Sequence, residues 1–160
     1  LLTADHGMSA KNTMIHLPDH LATHGIKSQA VPIIKDMYTV HHSNLGGCIY
    51  VYLDPDEVDR AVEELKQTEG VEDALTREQA AVRFKLMPER IGDIMVLGAR
   101  DIVFGDPSEV DFPNKLRSHG STYELDVPVI VYGPGLDIAN FTENRSLGQY
   151  VIDHVLTGPV

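Results

Sequence analysis

CIYVYLDPDEVDRAVEELKQTEGVEDALTREQ, residues 48–79, changes hydrophobic period twice within thirty-odd positions. "CIYVYL" is rich in β-branched and aromatic residues and alternates, as a strand does. In the segment that follows, Val58, Ala61, Val62 and Leu65 fall at helical spacing on one face. Asp54 can cap that helix, Pro55 suits its first position, Glu57 completes a capping box, and Gly70 ends it. "VEDAL" then reads as a strand, and "TREQ" is a second capping box that opens a shorter helix. With the strand "DIMVLGA" downstream, residues 48–99 read β-α-β-α-β. The class is therefore α/β.

Outward from this stretch the texture is similar but less regular. "NTMIHL" and "QAVPII" read as strands, with a short helix "PDHLATHG" between them that Gly25 ends. After residue 99 come an irregular Gly/Pro/Ser stretch, a strand "VPVIVYG", and a last helix around "SLGQYVIDHVL". The sequence divides into residues 1–47 with 100–160 as one α/β body and 48–99 as a small cap-like insertion. Leu1 is not an initiator Met, and "LLTA" reads as a buried strand, so the expectation is a piece of a longer chain.

Composition removes several classes of function. The 160 residues carry 13 basic and 24 acidic side chains, a net charge of −11 with histidine neutral. No basic stripe is present for nucleic acid or for an anionic membrane surface. Apolar runs such as "VPVIVYG" are far too short to span a bilayer, and no charged-then-apolar leader is visible. A single cysteine excludes an internal disulfide framework and fits a reducing, cytoplasmic compartment. Cys48 opens a strand and is expected to be packed rather than nucleophilic. A phosphate-cradling Gly-rich loop, G-x-S-x-G, Cys-x-x-Cys and Asp-x-x-x-His are all absent from the sequence.

The chemistry-bearing residues are mostly histidines. "DHG" at 5–7 ends an apolar run with a carboxylate and an imidazole side by side. On a regular strand they would face opposite ways; a bend at Gly7 can aim both into one cleft, where O and N donors suit zinc or a similar divalent ion. Taken alone, the tripeptide also reads as a polar turn. "RSHGS" presents His119 in a polar stretch, where it is either a ligand or an exposed loop residue. His41 and His42 either line a cleft and bind an anion or form a half-buried strand pair. His16, His20 and His24 recur every four residues, but His16 belongs to the preceding strand and the other two to a solvated helix face. Asp153–His154 lies inside a helical pattern with no turn and is discounted.

"TADHGM" at 3–8, followed over a hundred residues later by "RSHG" at 117–120, resembles the alkaline phosphatase superfamily. More narrowly it resembles the branch that contains nucleotide pyrophosphatase/phosphodiesterases and phosphonoacetate hydrolases. The ordered set "VHHSNLGG", "CIYVYL", "RFKLMPERIGDIMVLGARDIVFG" and "LRSHGS" is similar to the C-terminal half of the phosphonoacetate hydrolase family, from about Leu1 to Tyr132. The resemblance implies an alkaline-phosphatase-like sheet portion with a small α/β lid-like insertion. It also implies a two-zinc hydrolase that splits the carbon–phosphorus bond of phosphonoacetate into acetate and phosphate. Asp5 and His6 would bind one zinc and His119 the other. The nucleophilic Thr, a further metal-binding Asp and an Asp-x-x-x-His pair would lie upstream of "ADHG", leaving no catalytic nucleophile within these residues. His41 or His42 is a candidate to stabilise the enolate-like leaving group. The implied partner is a small phosphonate, without nucleic acid or membrane, and a homodimer is compatible with it. Two alternatives remain: a phosphodiesterase or nucleotide pyrophosphatase of the same superfamily, or a non-catalytic module that binds a partner through its acidic surface.

Overall fold

The computed structural model describes residues 1–32, 45–110, 112 and 115–156. The chain forms two compact units, one of residues 8–124 and the other of residues 1–7 with 125–160.

The larger unit is built on a four-stranded sheet of order β3-β4-β6-β5, antiparallel at every pairing. Its strands are β3 (Ser28–Pro32), β4 (Cys48–Leu53), β5 (Val71–Thr76) and β6 (Ile94–Gly98). Both faces of the sheet are covered, because side chains alternate along β4 and β6. Ile49, Val51, Ile94 and Val96 point to one side. There they meet Leu17 and Leu21 of α1 (Leu17–Thr23) and Ala61, Val62 and Leu65 of α2 (Val58–Gln67). Cys48, Met95 and Leu97 point to the other, against Ala80 of α3 (Arg77–Phe84) and Ile91. The β4-α2-β5 crossover leaves a gap of one strand, which β6 fills in the opposite sense.

Most local signals act as expected. Thr76 and Gln79 make both bonds of the capping box at α3, and Gly25 (φ 72°) and Gly70 (φ 85°) take the left-handed turns that close their helices. Asp54 behaves differently. It accepts from the Asp56 amide and caps a single 3-10 turn over Pro55–Glu57, with α2 starting only at Val58. Glu57 therefore turns away from a capping box and pairs with Arg60 at 3.2 Å.

Short ladders extend this unit. β1 (Ser9–Lys11) pairs antiparallel with β8 (Leu116–Ser118), and β2 (Thr13–Ile15) pairs parallel with β7 (Ile102–Phe104). The compact units divide the chain at 7/8 and 124/125, and β3 shares a sheet with strands of the 48–99 segment.

The smaller unit corrects two expectations. "VPVIVYG" forms no strand, and its one bridge joins Ile130 to Leu2. "LLTA" is no buried strand either: Leu1 and Leu2 are 44% and 59% exposed. A strand exists by its ladder, and among the described residues these two runs have only each other's single bridge. The last helix is present, as α4 (Asn144–Val151) continued by a π turn to Leu156.

Candidate metal centre

The opening segment of the smaller unit is tied down before it reaches its Asp–His pair. Leu2 and Ile130 exchange two backbone bonds of 2.9 Å. Asn144, first residue of α4, donates from its amide to the Ala4 carbonyl at 2.8 Å, while the Thr3 hydroxyl donates back to the Asn144 side-chain carbonyl at 2.9 Å. The chain then bends at Asp5, and Asp5 Oδ1 accepts from the His6 amide at 3.0 Å. Gly7 is not among the glycines with positive φ. The convergence expected of a Gly7 turn is thus made by side-chain-to-backbone bonds instead.

His6 Nδ1 lies 2.9 Å from the Gly7 carbonyl. A carbonyl can only accept, so Nδ1 donates to it. The other ring nitrogen, Nε2, is 3.5 Å from Asp5 Oδ2, with Asp5 exposed and the His6 ring half-buried. A carboxylate oxygen and an imidazole nitrogen thus face each other. Zinc bonds of ~2.0–2.2 Å at a tetrahedral angle place two ligand atoms ~3.3–3.6 Å apart. Donor types and spacing at Asp5–His6 therefore fit one zinc held by this pair and by further donors.

His119 belongs to the larger unit, directly after β8, and is half-buried. Its carbonyl accepts from the Gly47 amide at 2.8 Å, and the preceding Ser118 hydroxyl donates to the Leu45 carbonyl. Gly120 has φ 104°, and a Cβ there would approach the Gly47 and Cys48 amides at 3.3 and 3.4 Å. The 45–48 and 118–121 segments thus touch backbone to backbone. Asp5 and His6 sit in one unit and His119 in the other. Among the described residues, no group of three or more His, Cys, Asp and Glu is gathered for a metal. His41 and His42 lie outside the described residues.

The remaining histidines are occupied in other ways. His16 Nδ1 is 2.8 Å from Asp19 and its Nε2 3.7 Å from Asp106. His20 meets the Thr68 hydroxyl at 2.8 Å, and His24 lies 3.5 Å from Glu64. His154 stacks on Tyr150 with ring centroids 4.4 Å apart. Cys48 is 2% exposed, and burial pushes its thiol up to about 12, a backbone bond at Ile49 opposing only in part. It is a core residue.

Sequence reasoning missed one feature. Lys11 and Glu124 form an ion pair at 3.2 Å with side chains 0% and 1% exposed. They are 113 residues apart, and nothing local in "SAKNT" or "STYEL" announces the partnership.

A model of the type I phosphodiesterase / nucleotide pyrophosphatase family matches residues 1–122. The chain belongs to that family. It is a family of metallohydrolases with a mixed α/β, alkaline-phosphatase-like fold. Among solved structures, phosphonoacetate hydrolase from Sinorhizobium meliloti 1021 in complex with phosphonoacetate is 34% identical, with a TM-score of 0.69. The match covers 84% of this chain and 36% of that one. The same enzyme in complex with phosphonoformate gives a TM-score of 0.70 at the same identity and coverage. Human ectonucleotide pyrophosphatase / phosphodiesterase 5 is 20% identical over 74% of this chain and 28% of its own, with a TM-score of 0.47. The chain thus spans about a third of the hydrolase's length. Among the described residues, no helix is long and apolar enough to cross a membrane.

Proposed function

We propose that this chain is part of a zinc-dependent phosphonoacetate hydrolase, which converts phosphonoacetate and water to acetate and phosphate. The observation that carries the reading is the 34% identity, over 84% of the chain, to a phosphonoacetate hydrolase that holds phosphonoacetate. The Asp5 carboxylate oxygen and the His6 ring nitrogen, 3.5 Å apart, support it from the structure.

In this reading Asp5 and His6 hold one zinc and His119 the other, while an upstream Thr is the nucleophile. Bound zinc supplies charge that neutralises a phosphonate dianion and favours attack on phosphorus. The chain's own residues prepare the place for it. The Gly7 carbonyl accepts from His6 Nδ1, which turns Nε2 towards Asp5. Asp5 Oδ1 accepts from the His6 amide, and Oδ2 lies 3.5 Å from His6 Nε2. The acetate side leaves with negative charge on its carboxylate-stabilised carbon, and His41 or His42 donates a hydrogen bond to it. The 48–99 segment caps the site, the substrate is a small molecule, and the compartment is cytoplasmic.

The test is product formation by the family-length protein carrying this sequence, with zinc and with a chelator, read as inorganic phosphate from a phosphonate and as a nucleoside monophosphate from a phosphodiester. Phosphonoacetate, phosphonoformate and a nucleotide phosphodiester are offered in parallel. Zinc-dependent release of phosphate and acetate from phosphonoacetate is expected. Turnover of the phosphodiester with none of phosphonoacetate would replace this reading by the phosphodiesterase one. The 160-residue chain alone, with three candidate ligands and no nucleophile, is expected to release no detectable phosphate.

A further inference from the structure

We infer that the buried Lys11–Glu124 ion pair is a positioning device for the turn that carries His119. The inference rests on the reading of His119 as a metal ligand. A buried ion pair stabilises a fold little more than apolar residues of the same volume would, and often less. Its bonds, rather than its burial at 0% and 1% exposure, point to its use.

The carboxylate end of the pair leads to that turn. Lys11 Nζ donates to Glu124 Oε1 at 3.2 Å and to the Arg100 carbonyl at 2.8 Å. The other carboxylate oxygen, Oε2, accepts from the Ser121 amide at 2.9 Å and from its hydroxyl at 2.6 Å. Ser121 is two residues after His119 and is buried. A Cβ on Gly47 would lie 2.8 Å from Ser121 Cβ and 3.3 Å from Lys11 Nζ, so the three are already in close approach. Gly47 in turn donates its amide to the His119 carbonyl.

His119 is therefore held on both sides. Before it, β8 is laddered to β1, with Leu116 opposite Lys11 itself. After it, the Glu124 carboxylate grips Ser121, and Lys11 fixes that carboxylate in place. Lys11 and Glu124 are positioning residues: the carboxylate bonds Ser121, two residues after His119, and Gly47, packed on Ser121, bonds the His119 carbonyl.

The experiment is residue-resolved NMR on the 160-residue chain, comparing wild type with two double variants. Lys11→Met/Glu124→Leu removes the charges and the acceptor; Lys11→Met/Glu124→Gln removes the charges but keeps a carbonyl to accept from Ser121. The first should leave the melting temperature within about 5 °C of wild type yet speed Gly47 amide exchange by about tenfold or more. The second should restore Gly47 exchange to within about twofold of wild type. An unchanged Gly47 exchange in the folded Leu variant, or a Gln variant as fast as the Leu variant, overturns the positioning role. If the Leu variant does not fold, Ser121→Ala carries the test: exchange several-fold faster is expected, and no change overturns the role. Zinc titration of the family-length protein, followed at the His119 ring signals, tests the underlying reading separately. A ring that shifts with zinc upholds it. A ring that ignores zinc overturns the metal reading and the purpose inferred for the pair.

Discussion

At the scale of single residues, the two candidate metal positions are prepared by quite different means. Asp5 and His6 are neighbours, so their pairing was legible from "DHG" once a bend was granted. The bend itself was misattributed to Gly7, because main-chain bonds to a side chain leave no composition signal. His119 depends on Lys11 and Glu124, a relation no local reading could supply. Lys11→Met alone would leave the Glu124 charge buried without its partner, and is expected to cost about 3–5 kcal/mol in urea unfolding. Burial by itself would raise the Glu124 carboxyl; bonds from Ser121 and Ser9 and the charge of Lys11 outweigh it and hold the group below its ordinary value of 4.5. A carboxyl lowered in the folded state stabilises above its unfolded pKa and loses that contribution as pH falls through its folded value. Stability should therefore drop on acidification below about pH 4.5, and less so in Lys11→Met/Glu124→Gln. For Cys48 the sign is reversed. Its thiol stays protonated up to about 12, so at about pH 8 iodoacetamide should label it only after unfolding. Rapid labelling of the folded chain would contradict its place in the core.

The elements were more legible than their ends. Strand β4 coincides with "CIYVYL", and α2 buries the predicted Ala61, Val62 and Leu65, because both rest on strong periodicity over six to ten residues. The two capping boxes looked alike in sequence, yet only Thr76–Gln79 forms. At Asp54 the following Pro55 admits a tighter 3-10 turn whose second amide reaches the carboxylate first. The mutational contrast follows. Thr76→Ala removes both a cap and a bond to Glu78 and should cost about 1 kcal/mol by thermal unfolding. Glu57→Gln, which makes no cap, should lie within about 0.5 kcal/mol of wild type. Equal losses at both positions would show that α2 is capped as α3 is. "VPVIVYG" misled for the opposite reason: its residue types favour a strand, but a strand also needs neighbours, and Leu2 alone bridges to it.

On the scale of the whole molecule, the α/β class and the family were both readable, because they depend on ordered motifs spread over most of the chain. Contacts join residues 8–124 into one body and 1–7 with 125–160 into another, and such long-range grouping is set by packing that no linker composition advertises. The candidate ligands divide accordingly, Asp5 and His6 in the smaller unit and His119 in the larger. The central proposal is that Asp5 and His6 hold zinc and that His119 holds zinc. Anomalous diffraction at the zinc edge, from zinc-loaded crystals of the family-length protein, addresses it directly. The account predicts one peak within bonding distance of Asp5 and His6 and another within bonding distance of His119. Zinc bound only elsewhere would contradict it.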